Sequence, residues 1–363
     1  MKITEVRLGR LSVPLITPFK TAMRTVNNVE DIIVEIHTDT GAVGYGEGAP
    51  NAAVTGDTNG AILGALQDHI VKTLVGRDVD DFENLMQALN GCMHRNTPAK
   101  AAADIALWDL YGQLYHTPVY KLMGGSRKEL ITDLTVSVND PDVMARDADI
   151  AVKRGFDTLK IKVGSNPDLD VARLTAVRQA AGNKVRIRID ANQGWKPKQA
   201  VELLNQMQEK GLNIEFVEQP VKAHDLEGLK YVTDHACVPV LADESVFSPL
   251  DAIKIMQTRA ADMVNIKLMK CGGLYNGLKI ATAAEVYGVE CMVGCMTEAK
   301  ISINAAVHLA CAKQVITKID LDSTLMCTED PVTGGAVFHE QHITVSDVPG
   351  LGVQSVQGIR YVN

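Results

Sequence analysis

Five ionisable residues stand at the ends of short apolar runs, one run after another. LKIKV carries Lys162, RIRID ends on Asp190, IEFVE on Glu218, VLADE carries Asp243 and VNIKL carries Lys267. The intervals between them are 28, 28, 25 and 24 residues. A short apolar run reads as a buried strand, and charge on a buried strand is costly unless it is paired or used. Asp190, Glu218 and Asp243 come from three consecutive strands, so they are neighbours, and three unneutralised carboxylates at one point repel strongly. A hard divalent cation removes that repulsion. An all-oxygen donor set suits Mg2+, with Mn2+ as a possible substitute, and disfavours zinc, which takes His and Cys. Taken singly, each acid could instead be ion-paired to a neighbouring Lys or Arg. The register of all three on successive strands is what points to a metal.

Lys162 precedes these three strands and Lys267 follows them, so the two amines would approach a bound substrate from opposite sides. A lysine acts as a base only where part of it is neutral near pH 7, and a nearby cation lowers its pKa. The metal would do this for both, and Lys160 further for Lys162. The chemistry that suits the set is removal of a proton next to a carboxylate, where the resulting enolate needs divalent charge beside it. A base on each face would take the proton from one side and return it on the other, inverting the carbon. Asp320 and Asp322, in KIDLD, bring more negative charge than the metal needs, and an acidic pair at such a mouth suits an ammonium group. The other reading of the pair is an internal salt bridge to a Lys or Arg. Arg24, in the polar stretch PFKTAMRTVNN, could cover the mouth and pair bidentately with a substrate carboxylate, or be a plain surface residue.

From about residue 130 onward, short apolar strands alternate with helical segments such as DVARLTAVRQAAG, PKQAVELLNQMQEKG and GLYNGLKIATAAEVYG. Gly155, Gly182, Gly211 and Gly288 each stand just before a strand, where a helix ends on a left-handed residue. Strands are predicted at TDLTVSV, TLKIKV, VRIRID, IEFVE, PVLADE, MVNIKL, ECMVG and TKIDLD. Eight such strands with intervening helices predict an α/β fold built as a closed parallel barrel, which places its active site at the C-terminal mouth. Alternation puts Lys160 with Lys162, Arg186 and Arg188 with Asp190, and Asn265 with Lys267 on the inward face. It also puts Asp320 and Asp322 on one face of the last strand. In the first third, MKITEVRLGRLSVPL, DIIVEIHTDTG and AVGYGEG read as antiparallel strands, with a hairpin turn at HTDTG. PFKTAMRTVNN and NAAVTGDTNG read as loops, and AKAAADIALWDLYGQLY as a helix.

At 363 residues, with 46% apolar and 22% charged residues, the chain has an ordinary globular composition. A net charge of −8 argues against nonspecific nucleic-acid binding. No apolar run is long enough for a transmembrane helix, and MKITEVRLGRLSVPL lacks a signal core, so a cytoplasmic protein without membrane contact is expected. Seven Cys at irregular spacing read as reduced thiols. Cys291 and Cys295 lack a second matching pair and read as structural thiols rather than a zinc site.

The motifs LKIKVG, DANQGW, VEQP, ADES and NIKLMK, in this order and spacing, resemble the enolase superfamily in its muconate-lactonising subgroup, over essentially the whole chain. The resemblance implies a modified (β/α)7β TIM barrel with an α+β capping domain. Residues 1–125 would form the cap, 126–325 the barrel, and 326–363 a segment that returns to complete the cap. It implies Mg2+ on Asp190, Glu218 and Asp243 and acid/base chemistry at Lys162 and Lys267. Lys160 would support Lys162 and contact a substrate carboxylate. Within the subgroup the chain is most similar to the dipeptide epimerases. That similarity implies that Asp320 and Asp322 hold a dipeptide's α-ammonium group and that Arg24 meets a glutamate side-chain carboxylate. It also implies that Cys295, Met296 and Thr297, in CMVGCMTEAK, line the dipeptide, with Thr135 as a further contact. The pattern would have an aliphatic residue at Thr297 and a small hydroxyl at Cys295. The resulting expectation is Mg2+-dependent interconversion of L-Ala-L-Glu and L-Ala-D-Glu, a role in recycling cell-wall peptide, and a homo-oligomer. N-acylamino-acid racemases, o-succinylbenzoate synthases and cycloisomerases share the intermediate, but their substrates lack a free α-ammonium. A barrel that binds metal without catalysis is the reading from outside the enzymes.

Overall fold

The structure is a computed structural model that describes residues 1–362; residue 363, the last of the expected returning segment, lies outside them. The chain opens with three antiparallel strands, β1 (Ile3–Lys20), β2 (Thr25–Thr38) and β3 (Val43–Gly48). A short strand from the far end of the chain, Arg360–Tyr361, joins the outer edge of β1. The helix Thr97–Leu114 packs across this sheet and is buried nearly all round. Its approach is close because Gly44, Gly46 and Gly48 face it. A Cβ on Gly46 would lie 1.8 Å from the Ala102 carbonyl oxygen.

The stretch PFKTAMRTVNN is mostly not a loop. Phe19 pairs with Val26 and Lys20 with Thr25, and the turn is confined to Thr21–Arg24. The register shifts between Pro14 and Phe19, and Pro14, Ile16, Thr17 and Pro18 are exposed. This arm runs past the core, so backbone pairing holds it without the apolar alternation that marks a strand in sequence. The result is a long hairpin that carries Arg24 at its tip.

The eight barrel strands are Leu134–Val136, Thr158–Lys162, Arg186–Asp190, Ile214–Glu218, Val240–Ala242, Met263–Ile266, Glu290–Gly294 and Ile316–Asp320. All are parallel, in sequential order, and each is hydrogen-bonded to the next. Strands one and eight meet through Asp133 N–H to the Ile319 carbonyl at 3.3 Å and Leu321 N–H to Thr132 Oγ1 at 2.9 Å. Gly155, Gly182, Gly211 and Gly288 all take positive φ. Leu159, Ile161, Ile187, Ile189, Val264 and Ile266 are buried in the main core, as their alternation with the inward polar set requires.

One placement differs from expectation. Strand eight ends at Asp320, and Asp322 lies beyond it with helical φ and ψ of −95° and −2°, heading the short helix Ser323–Met326. The two acids are therefore not successive positions of one strand face, although both are buried. Among the described residues no helix is long and apolar enough to cross a membrane. The seven cysteines are all free thiols.

Candidate active site

The polar face of each barrel strand builds the site layer by layer. Register sets Lys160 opposite Arg188 and Lys162 opposite Asp190 on strands two and three, then Asp190 opposite Glu218 on strands three and four. Asp243 and Lys267 are the first residues past strands five and six. Lys162 Nζ donates to Asp190 Oδ2 at 2.6 Å, and Lys267 Nζ to Asp243 Oδ2 at 2.8 Å. Lys160 is the hub: its Nζ lies 2.6 Å from Glu218 Oε2, 2.7 Å from Asp320 Oδ2 and 3.3 Å from Asp190 Oδ2.

Sequence reasoning assigned no role to several members of this network, although it placed Arg188 and Asn265 on the inward face. Lys270, one helical turn past Lys267, is fully buried with Nζ 2.5 Å from Asp243 Oδ1, and it also donates to the backbone carbonyls of Asp243 and Asn265. Its signal was present in the NIKLMK spacing. Asn265 Nδ2 donates to Glu218 Oε1 at 2.8 Å, and Asn192 Nδ2 lies 3.3 Å from Asp190 Oδ2 and 3.4 Å from Glu244 Oε1. Asn192 and Glu244 sit just past Asp190 and Asp243, inside the DANQGW and ADES motifs that had been singled out. On the floor, Arg188 Nη1 holds Asp133 Oδ2 at 2.8 Å. Oxygens of Asp133, Asp320 and Asp322 all lie within 4.8 Å of one another. Asp322 Oδ2 accepts from Thr135 N–H at 2.6 Å.

Above the floor is a cavity of about 620 Å³ when its open mouth is included. It collects Lys160, Lys162, Asp243, Lys267, Asp320 and Asp322 from the barrel, with Thr135, Cys295, Met296 and Thr297 along one wall. Asp190 and Glu218 lie beneath it, fully buried. The cap closes the top. Arg24 Nη2 lies 3.4 Å from Thr297 Oγ1, Phe19 places its ring 5.9 Å from Lys162 Nζ, and Asn51 Nδ2 reaches Met296 Sδ at 3.2 Å. Arg24 is thus a wall of the cavity rather than a free surface residue. Burial lowers its pKa from the ordinary value, against the pull of Asp31.

Acid outnumbers base here. Asp133, Asp190, Glu218, Asp243, Glu244, Asp320 and Asp322 are buried together with Lys160, Lys162, Arg188, Lys267 and Lys270, seven carboxyls against five basic groups. Burial, then Asp190, pushes Glu218 up to about 7. Burial, then Asp243 and Asp190, pushes Glu244 up to about 8. Burial, then Asp320, pushes Asp322 up to about 6. Asp190 and Asp243 feel the same burial, but the lysines beside them outweigh it and hold both below the usual carboxylate range. The lysines respond in kind. Burial pulls Lys267 down, yet Asp243 foremost raises it above its ordinary value, and Lys160 is likewise raised by Asp320, Glu218 and Asp190. Facing these acids, Lys267 is held protonated.

The donor set fits a hard divalent cation. Glu244 Oε2 is buried and accepts no hydrogen bond, while Glu218 Oε2 and Asp243 Oδ1 meet the ammonium groups of Lys160 and Lys270 at 2.6 and 2.5 Å. Buried carboxylate oxygens at the ends of successive strands, held only by cationic groups, are what Mg2+ or Mn2+ coordinates, and no sulfur or imidazole competes among them.

Residues 143–357 match the enolase C-terminal domain-like family, and residues 3–124 match the mandelate racemase / muconate lactonizing enzyme N-terminal domain. The chain belongs to this branch of the enolase superfamily and is an isomerase of the racemase and epimerase kind. More particularly, it is 56% identical over 356 residues to the L-Ala-D/L-Glu epimerase of Clostridium acetobutylicum, covering 98% of this chain and 99% of that one. The substrate-liganded L-Ala-D/L-Glu epimerase of Bacillus subtilis superposes with a TM-score of 0.97 at 46% identity, covering 98% of this chain and 99% of that one. The dipeptide epimerase of Enterococcus faecalis, complexed with Mg and L-Leu-L-Tyr, superposes at 0.94 with 42% identity, covering 98% of this chain and 100% of that one.

Proposed function

We propose that this chain is a Mg2+-dependent dipeptide epimerase that interconverts L-Ala-L-Glu and L-Ala-D-Glu. The observation that carries the reading is one cavity that collects both lysines, the Asp320/Asp322 pair and Arg24. A dipeptide ending in Glu has one ammonium and two carboxylates. The cavity offers an acidic pair for the first, and an arginine and a carboxylate-rich metal corner for the others. The excess of buried acid is the size that one divalent ion neutralises.

Asp190, Glu218 and Asp243 would hold the ion. When bound, Mg2+ supplies divalent positive charge beside the substrate's terminal carboxylate, where negative charge grows as the α-proton leaves. With those carboxylate oxygens engaged, Lys267 would lose the Asp243 ion pair that raises its pKa, and Lys162 its ion pair with Asp190. One lysine, as free amine, takes the α-proton of the second residue. The other, as ammonium, donates a proton to the opposite face, and the roles exchange for the reverse direction. Asp320 and Asp322 accept from the α-ammonium, and Arg24 pairs with the γ-carboxylate. Thr297, where the family pattern has an aliphatic residue, sets a hydroxyl beside Arg24 and steadies it for that task. Recycling of cell-wall peptide in the cytoplasm is the role this substrate suits. N-acyl substrates, which lack the ammonium, would bring no cation to Asp320 and Asp322.

The test is proton NMR of the purified protein with Mg2+ and L-Ala-L-Glu in D2O. Deuterium should enter the α-carbon of the second residue while the L,D diastereomer accumulates. Faster racemisation of an N-succinyl amino acid than of this dipeptide would overturn the reading.

Metal binding should also be linked to protons. With Glu218 near 7 and Glu244 near 8 in the metal-free site, both are part-protonated at pH 7. A cation must displace those protons, so affinity falls as pH drops below about 8, approaching about tenfold per pH unit for each proton displaced. Calorimetry of Mg2+ binding at pH 7, in buffers of differing ionisation enthalpy, should show net proton release. A heat that does not depend on the buffer would contradict this.

A further inference from the structure

We propose that Glu47, on the cap, is a positioning residue for substrate choice: with Asp31 it caps the barrel helix Lys300–Ala312 and so fixes Cys295–Thr297 against Arg24. Where it concerns dipeptide choice, this rests on the epimerase reading above. The helix begins with Ala299 at its N-cap, which has no side chain to accept from the first amides. The acceptors come from the other domain. Glu47 Oε1 accepts from Ala299 N–H at 2.6 Å and Oε2 from Ser302 N–H at 3.0 Å. Asp31 Oδ2 accepts from the same Ala299 N–H at 3.0 Å. β2 sets Ile33 opposite Glu47, which makes Asp31 the diagonal neighbour of Glu47 on the same sheet face.

Burial, then the neighbouring Glu47, raises Asp31 well above the usual carboxylate range, so Asp31 is the proton-bearing partner on this shared amide. The hold extends into the cavity wall. Glu298 Oε1 accepts from Met296 N–H at 2.5 Å, and its other oxygen takes the Ser302 hydroxyl. Its backbone N–H donates to Ser323 Oγ at 2.8 Å, the residue after Asp322. β2 therefore meets this segment twice, at Asp31 with Ala299 and, just before the strand begins, at Arg24 with Thr297. Lys162, Lys267 and the three acids assigned to the metal stand on or just past other strands.

Glu47→Gln keeps the size but turns an NH2 toward one helix amide. The ratio of kcat/KM for L-Ala-L-Glu to that for L-Ala-L-Leu should fall about tenfold, mostly through KM for L-Ala-L-Glu. Amide exchange over residues 296–302 should quicken. Asp31→Ala should shift the ratio the same way, and it serves if Glu47→Gln does not fold. Asp31→Asn, which keeps both the acceptor and the donor of a protonated acid, should preserve the ratio. An equal fall for both dipeptides, or an unchanged ratio in Glu47→Gln and Asp31→Ala, overturns the proposal. If the unmodified protein turns over no dipeptide, the epimerase reading fails instead, and unchanged amide exchange over 296–302 then rejects the capping role on its own.

Discussion

Replacing Lys162 or Lys267 with Ala should abolish epimerisation, with kcat lower by about a thousandfold or more, the loss expected when an essential acid or base is removed. The two variants should not behave alike toward the two diastereomers. With one lysine left, a proton can still be taken and returned on that lysine's own face, giving exchange with solvent but no inversion. Each variant should therefore incorporate deuterium from D2O into one diastereomer of Ala-Glu, and the two variants should choose opposite ones. If one lysine served both steps, one variant would be inert and the other fully active. Turnover retained within tenfold in either variant would remove the two-base mechanism. The fold is the control. Each lysine is buried against a carboxylate, Asp190 or Asp243, and breaking a buried pair costs about 3–5 kcal/mol in general. The measurement is therefore made with Mg2+ present, whose charge replaces the one removed, and a circular dichroism melt should show a native-like transition.

Much of this site could be read from the residues because the barrel strands are short and their alternation is clean. Lys160, Lys162, Arg188, Asp190, Asn265 and Lys267 all face inward where period two places them. What escaped notice depends on contacts that alternation does not encode. Lys270 is brought under Asp243 by a helical turn after the strand, where the period changes from two to nearly four. Asp322 escapes the strand pattern for the same reason. Asp133 stands before its strand and is found only when strand eight closes on strand one. The trans-capping by Asp31 and Glu47 is long-range in sequence, 268 and 252 residues from Ala299. In sequence both acids look like ordinary polar positions of a cap strand. The hairpin arm bearing Arg24 was hidden because it projects beyond the core and shows no apolar face.

The acid pair gives the sharpest test of substrate class. Asp322→Asn keeps an oxygen to accept from Thr135 N–H but removes the charge, so the floor should hold its shape while losing the ammonium. Loss of one charged hydrogen bond of about 1.5–3 kcal/mol predicts a fall in kcat/KM for L-Ala-L-Glu of roughly ten- to hundredfold, carried mainly by KM. Asp320→Asn should cost at least as much, because it also loosens Lys160, which is 2.7 Å away. The pH profile follows from the raised pKa of Asp322. Near 6 in the free enzyme, it is charged at pH 7 and neutral below about 6. A dipeptide that needs the anion should therefore show kcat/KM declining as pH falls through 6, and the part of that decline due to Asp322 should vanish in Asp322→Asn. An N-acylated amino acid has no ammonium to lose, so its profile should lack that limb and its rate should be indifferent to the substitution. Equal sensitivity of both substrates, or an Asp322→Asn enzyme within threefold of the unmodified one on L-Ala-L-Glu, would make the pair a structural feature of the barrel floor and move the substrate out of the dipeptide class.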